Sequence, residues 1–238
     1  MKKEVFRFKQ FKINQDRCAM KVGTDGILLG AWASLNHQPD TILDIGAGTG
    51  VIALQLAQRS SAQTIDAIEI EVAAYEQAVE NFENSPWGDR LFCYHASLEE
   101  FTDEMEERYE LIVSNPPFYS TSYQTENVAR NTARFTTSLP FGILLRSVSK
   151  LLRENGVFAT IIPASEEATF LESAARQGLY PNRICYVRGT PASEVKRCLF
   201  EFSFRKKEPK VEHLVIEVAR HQYTPEYLEL VKDFYLRM

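Results

Sequence analysis

The stretch Asp44-Ile45-Gly46-Ala47-Gly48-Thr49-Gly50 constrains the fold of this chain more than any other, because of what flanks it. Thr41 to Ile45 is a short apolar run of strand character, and Val51, Ile52, Leu54, Leu56 and Ala57 follow at helical spacing. The three glycines therefore sit in a strand-to-helix turn. Glycine there permits positive φ and lets a ligand reach the main chain without meeting a Cβ. The spacing Gly-x-Gly-x-Gly departs from the dinucleotide fingerprint Gly-x-Gly-x-x-Gly and lacks the Gly-Lys-Ser/Thr ending of a phosphate loop. A nucleoside without a pyrophosphate fits such a turn better.

Alternating elements continue from there. Strands are predicted near residues 41 to 45, 64 to 70, 91 to 95, 109 to 114 and 157 to 162, with helices such as 71 to 84 and 141 to 154 between them. This alternation gives an α/β fold with a mainly parallel sheet. The end of the chain differs. Residues 183 to 187 and 197 to 204 read as an antiparallel hairpin around Gly189 and Pro191, 214 to 218 as an outer strand and 225 to 236 as a terminal helix. No repeat or linker divides the chain. One domain is expected over 1–238: an N-terminal arm and helix (1–36), a core (37–205) and a C-terminal strand and helix (206–238).

A second motif, Asn115-Pro116-Pro117-Phe118, follows the apolar run Tyr109, Leu111, Ile112, Val113 and so ends a buried strand, where open α/β sheets hold ligands. Two prolines remove two backbone donors and fix two φ angles, leaving a stiff rim of carbonyl acceptors beside the Asn115 amide. That rim suits an NH2 group whose lone pair is delocalised into a ring or carbonyl. Asn115 Oδ1 and the Pro116 carbonyl would accept its two hydrogens, turning the lone pair towards an electrophile, while Phe118 stacks on the flat group. The plainer alternative is a strand-ending turn with Phe118 as a core plug. Glu69 closes the strand Thr64 to Glu69, at about the distance where Rossmann-like folds place a ribose ligand. Its alternative is a solvated acid, like Glu71 beside it.

Together these residues resemble the class I S-adenosylmethionine-dependent methyltransferases that modify planar nitrogen, over about residues 20 to 205. The resemblance implies a Rossmann-like, mainly parallel seven-stranded sheet with an antiparallel C-terminal hairpin and helices on both faces, and S-adenosylmethionine as cofactor. It gives Asp44 and the turn of Gly46, Gly48 and Gly50 to the methionine part, Glu69 to the ribose, and the position after the third strand to the adenine. Here that position falls to Ser97, where many relatives carry aspartate, so the serine is a departure.

Phe8-Lys9-Gln10-Phe11, the segment from Arg17 to Trp32, Asn84-Ser85-Pro86-Trp87 and the final Phe234 to Met238 narrow the likeness. Nearly end to end, the chain is similar to bacterial tRNA adenine-N6 methyltransferases that act at nucleotide 37 of a valine tRNA. Within that segment Thr24 and Asp25 read as a helix N-terminus with Ile27, Leu28 and Trp32 on the buried side. Capping alone is one role for them. The resemblance offers another, over the methionine end of the pocket, where an acid would face the cofactor's ammonium group.

Composition agrees with a soluble enzyme: 45% of the 238 residues are hydrophobic, and no apolar run is long enough to cross a bilayer. The first residues are basic without an apolar segment behind them, so cytoplasmic localisation and no membrane contact are expected. Cys18, Cys93, Cys185 and Cys198 are scattered, with no Cys-x-x-Cys pair, and read as reduced thiols; no metal is expected. No Ser/His/Asp or Cys/His constellation is evident. Methyl transfer requires none, because a sulfonium is already activated and the task is alignment.

The net charge of −5 speaks against RNA only as a sum. Residues 1 to 21 hold seven Lys and Arg against Glu4 and Asp16, with Phe6, Phe8 and Phe11 interleaved. These aromatics either stack on bases or pack as an edge strand. Further cations sit at Arg130 and Arg134 and at Arg205, Lys206, Lys207 and Lys210. Residues 120 to 139 are polar and weakly periodic, a candidate lid.

The expected activity is methyl transfer from S-adenosylmethionine to the N6 amine of an unpaired tRNA adenine, which can be splayed into a pocket at modest unstacking cost. Three rivals remain open: methylation of a protein glutamine, methylation of guanine N2 in ribosomal RNA, and a cofactor-binding RNA-interaction protein without turnover. Release-factor enzymes of the first kind use Asn-Pro-Pro-Tyr, so Phe118 and the basic arm lean towards RNA. Spacing does not separate guanine from adenine. Oligomeric state is not legible in the sequence, and a monomer is compatible with it.

Overall fold

Every predicted βα alternation becomes part of one open sheet in the computed structural model, which describes residues 4–117 and 139–236. Phe118, Arg130, Arg134 and nearly all of the candidate lid lie outside the described residues. In chain order the elements are β1 (Val5–Arg7), β2 (Lys12–Asn14), α1 (Thr24–Trp32), β3 (Thr41–Ile45), α2 (Val51–Arg59), β4 (Thr64–Glu69), α3 (Val72–Glu83), β5 (Leu91–His95), α4 (Leu98–Glu104) and β6 (Tyr109–Ser114). After the undescribed stretch come α5 (Phe141–Leu151), β7 (Leu152–Pro163), α6 (Glu167–Arg176), β8 (Tyr180–Arg188), β9 (Val195–Ser203), β10 (Lys210–Val215), β11 (Glu217–Ala219), β12 (Gln222–Tyr223) and α7 (Pro225–Val231).

The sheet has the order β10-β8-β9-β7-β6-β3-β4-β5. Strands β5, β4, β3, β6 and β7 are mutually parallel, and β9 runs antiparallel to both β7 and β8. The Rossmann-like class I methyltransferase architecture is therefore present, with its antiparallel hairpin. Its strand count needs correction from seven to eight. The eighth is β10, which pairs in parallel with β8 from Lys210↔Arg183 to Val215↔Arg188. Only Leu214 is buried along β10, so the strand rests on main-chain pairing and carries almost no apolar alternation to announce it. The outer strand expected at 214 to 218 is thus shifted upstream, and Glu217–Ala219 pairs separately with β12.

Both faces of the sheet are covered, which is why its central strands read as continuous apolar runs. In β3, Ile42 joins the core beneath α1, α2 and α3, while Leu43 and Ile45 join the core beneath α4, α5 and α6. Side chains alternate across the sheet, so neighbours in sequence feed opposite layers. Each fully buried Leu, Ile or Phe contributes about 1.5–3 kcal/mol.

The amino-terminal aromatics belong to this packing. Phe8 and Phe11 are buried and stack at 4.5 Å between ring centroids; Phe11 meets Trp87 edge-on at 5.9 Å, and Phe8 lies 6.3 Å from Tyr235. Of the two roles open to them, Phe8 and Phe11 take the packing one. The antiparallel β1–β2 hairpin is then fastened to α3 by Asn81. Asn81 Oδ1 accepts from the Asn14 N–H at 2.8 Å, and its Nδ2 donates to the carbonyls of Asn14 and Thr49, both at 2.9 Å. Thr49 lies in the glycine turn, so one buried amide joins the arm to that turn. Among the described residues no helix is long and apolar enough to cross a membrane.

Candidate functional site

Three loops leave the sheet at the same end from adjacent parallel strands. Ser114 pairs with Ile45, and Ile45 with Ile68, so Asn115, Gly46 and Glu69 follow at matched heights on β6, β3 and β4. Neighbouring strands are about 4.8 Å apart, which places the Asn-Pro-Pro corner directly beside the glycine turn. Ser114 Oγ donates to the Ile45 carbonyl at 2.9 Å and fixes this alignment just below the two corners.

The glycine turn is left-handed at all three glycines, with φ of +76° at Gly46, +55° at Gly48 and +78° at Gly50. An L side chain in that region costs about 1–2 kcal/mol. What surrounds them differs. A Cβ at Gly46 or Gly48 would meet nothing within 4 Å, whereas one at Gly50 would lie 2.5 Å from Phe82 Cε1. Gly46 and Gly48 therefore face open space, and Gly50 serves the packing of α2 on α3. The N–H groups of Gly46 and Ala47 both donate to the Ile68 carbonyl, at 2.9 and 3.0 Å, holding the turn over β4.

Glu69 completes this cradle. Its Oε2 accepts from the Gly48 N–H at 2.8 Å and its Oε1 from the Glu71 N–H at 2.9 Å. A carboxylate has about four lone-pair sites, so each oxygen keeps one for a further donor such as a hydroxyl of a diol. The solvated-acid alternative does not describe it, since Glu69 is only 9% exposed.

Asp44 lies wholly buried beneath the turn, where Oδ2 accepts from the Ala53 N–H at 3.1 Å. Gly50 offers α2 no side-chain cap, and Asp44 supplies that acceptor from the strand below. Its other oxygen, Oδ1, is buried without a partner. Desolvation pushes the Asp44 carboxyl up to about 7, the Ala53 N–H pulling against this and the Glu69 charge adding to it. A cationic ligand group above it would have the opposite effect.

At the neighbouring corner Pro116 is buried while Asn115 and Pro117 are half-buried. Asn115 Oδ1 is buried and has no hydrogen-bond partner among the described residues. Buried polar atoms in proteins are nearly always satisfied, and the cost of leaving one open is about 1–3 kcal/mol. An acceptor kept empty beside a ligand-sized space fits an incoming N–H. Two such orphaned oxygens, one per corner, together with the bare glycines, form a donor and acceptor set that fits S-adenosylmethionine on one side and an amine on the other.

Thr24, Asp25 and Ser97 take structural places in the fold. The N-cap of α1 is Gly23, without a side-chain cap, so Thr24 is the first helical residue and caps nothing. Asp25 Oδ2 accepts from Arg197 Nε of β9 at 2.8 Å, and this ion pair ties α1 to the hairpin. Ser97 is the N-cap of α4 in a full capping box: its Oγ accepts from the Glu100 N–H at 3.2 Å and donates to Glu100 Oε2 at 2.7 Å. That hydroxyl has spent its only donor within the helix. The pattern Ser-x-x-Glu was readable as a cap. Asn81 and Arg197 were missed, because nothing local in the sequence connects Asn81 to residue 49 or Arg197 to residue 25.

Comparison with known proteins gives three findings. The Methyltransferase small domain family matches residues 26–138. The tRNA1(Val) (adenine(37)-N6)-methyltransferase of Christiangramia forsetii is 59% identical over 240 residues, covering 100% of both chains, and that of Flavobacterium johnsoniae is 57% identical over 98% of this chain and 100% of its own. Among solved structures, a predicted O-methyltransferase from Agrobacterium tumefaciens superposes with a TM-score of 0.65 at 19% identity, over 88% of this chain and 96% of its own, and so shares the fold.

Proposed function

Because this chain belongs to the tRNA1(Val) (adenine(37)-N6)-methyltransferase family, we propose that it methylates the N6 amine of adenine 37 in a valine tRNA, with S-adenosylmethionine as donor. The observation that carries the reading is the empty, buried Oδ1 of Asn115 one strand from the Gly46–Gly48 cradle.

S-adenosylmethionine supplies, when bound, a methyl group activated on a sulfonium. The protein's work is placement. Gly46 and Gly48 admit the cofactor's methionine side, Asp44 faces its positive charge from below, and Glu69 takes the ribose hydroxyls. Asn115 Oδ1 and the Pro116 carbonyl accept the two N6 hydrogens, so the amine's lone pair points away from them and towards the cradle. Pro117 stiffens that corner, and Phe118 is proposed as the stacking partner of the adenine. The amine proton leaves after the bond forms, when nitrogen is strongly acidic, so no strong base is required. Thr24 and Asp25 stand at the rim through the Asp25–Arg197 pair, and Ser97 serves the adenine end of the pocket through its place at the start of α4 rather than through a free hydroxyl. A valine tRNA is a cytoplasmic substrate, and that is the compartment proposed.

Incubation with labelled S-adenosylmethionine and total tRNA, followed by nucleoside analysis, is expected to yield labelled N6-methyladenosine. Label in N2-methylguanosine, in protein, or nowhere would end the reading.

The Asp44 carboxyl adds a pH dependence. Its folded value near 7 lies above the ordinary 3.8, so between about pH 4 and 7 the folded state holds a proton that the unfolded chain releases. Its contribution to stability is therefore greatest below pH 4 and is lost as pH rises towards 7. Cofactor binding runs the other way: the cation favours ionised Asp44, so affinity rises with pH up to about 7 and binding below it releases a proton. Calorimetry in two buffers of different ionisation enthalpy should detect that proton near pH 6, and Asp44→Asn should abolish it. A release that persists in Asp44→Asn assigns the proton to another group.

A further inference from the structure

The Arg205-Lys206-Lys207 run lies far from the corners just described, on the rim of a separate concavity. This groove, of about 1020 Å³, opens at the other end of the sheet, between the C-terminal ends of α1 and α2 and the start of β8, the end of β9 and the start of β10. Val157 of β7 lines it and pairs with Leu111, four residues before Asn115. At about 3.3 Å per residue that is roughly 13 Å along the strand, and the cationic rim lies two strands further sideways.

Five cations line the groove, Arg59, Arg183, Arg205, Lys207 and Lys210, against the carboxylates Glu154 and Glu201. This local excess of positive charge occurs in a chain whose net charge is −5. The floor is internally neutralised. Arg183 lies 4.1 Å over the Trp32 ring and pairs with Glu201 at 3.4 Å and with Glu212 at 3.0 Å, while Arg59 donates to the Gly30 and Ala33 carbonyls at 2.7 and 2.9 Å. The rim is more open: Arg205, Lys206, Lys207 and Lys210 are all exposed, although Lys210 pairs with Glu212 at 2.7 Å and Arg205 donates to Asn155 Oδ1. Their turn is held in shape from beneath. Asn182 Nδ2 donates to the Arg205 carbonyl at 3.2 Å, the Arg205 N–H donates to Ser203 Oγ at 3.2 Å, and Ser203 Oγ donates to Asn182 Oδ1 at 3.1 Å. An exposed cationic rim on a fixed turn is suited to phosphates along a backbone.

We propose that this groove binds the sugar-phosphate backbone of the tRNA outside its anticodon loop, so that the enzyme grips its substrate at both ends of the sheet. The proposal rests on the tRNA reading above. A single nucleoside at the Asn115 corner cannot reach the groove, and a folded RNA can. The contact is with phosphates, so it supplies affinity and orientation without reading bases.

The test compares full-length tRNA with the isolated anticodon stem-loop, using wild type and an Arg205→Ala/Lys207→Ala double variant of unchanged thermal melting. By fluorescence anisotropy the variant is expected to bind full-length tRNA about 10-fold more weakly, with the slope of log K against log salt reduced by about 2, and the stem-loop within two-fold of wild type. Equal weakening for both RNAs, or full-length binding with unchanged affinity and slope, overturns the groove. Wild-type methylation of tRNA is assayed in parallel. Its absence removes the tRNA reading, whereas its presence beside an unaltered double variant removes the groove alone.

Discussion

Asn115→Ala is expected to lower kcat for methyl transfer by about 10²–10³-fold while leaving the affinity for S-adenosylmethionine within two-fold of wild type. The division follows from where the residue stands. Asn115 leaves β6 beside the glycine turn, and its Oδ1 is buried with nothing to accept from. Removing an acceptor that has no partner costs the free protein nothing in hydrogen bonds, so folding should not suffer. It would take from the amine one of the two proposed contacts that aim its lone pair, and misplacement is felt in the reaction rather than in cofactor uptake. Single-turnover rates with saturating tRNA, alongside a cofactor titration, separate the two quantities. Equal losses in both would mean that the corner holds the cofactor, and the assigned role would be wrong.

The mirror image is expected at Glu69. Replacing it with Ala should raise the cofactor Kd by about 10²-fold or more, because the carboxylate takes part in two sets of hydrogen bonds. One set is internal: without Oε2 and Oε1, the N–H groups of Gly48 and Glu71 lose their acceptors, and the turn is released where it lines the ligand space. The other set is the proposed one, to the ribose hydroxyls. Glu69→Gln keeps one oxygen and turns the other into a donor, which cannot serve both N–H groups, so it should fall between wild type and Glu69→Ala. Calorimetric titration gives all three constants. If Glu69→Ala bound cofactor as wild type does, the ribose would lie elsewhere.

Where the sequence was a faithful guide, one periodicity decided the structure. The runs at 41 to 45 and 109 to 114 coincide with β3 and β6, because central parallel strands are buried on both faces and have little else to be, and 91 to 95 coincides with β5 although that strand forms the sheet's edge and buries only Leu91. The glycine turn was legible for a similar reason: three left-handed positions within five residues leave few alternatives to glycine. Elements held by main-chain pairing or by distant contacts were harder. β10 buries one side chain and so carries no pattern. The pairing of Asp25 with Arg197 spans the sequence from α1 to β9, and a lone helix start gives no sign of it. Ser97 shows a different case: its Ser-x-x-Glu capping signal is local and is used at the start of α4, while its place after β5 is what suggested a ligand role. Phe8 and Phe11 could have served base stacking or a core, and only the positions of Trp87 and Tyr235 decide between them.

The stitch made by Asn81 has a practical consequence. Its single side chain is shared between residue 14 of the leading hairpin and residue 49 beside the ligand space, so the two stand or fall together. Removing the first strands to shorten the protein would strand a buried amide and slacken the glycine turn. What looks like a dispensable tail is a guy-line to the glycine turn.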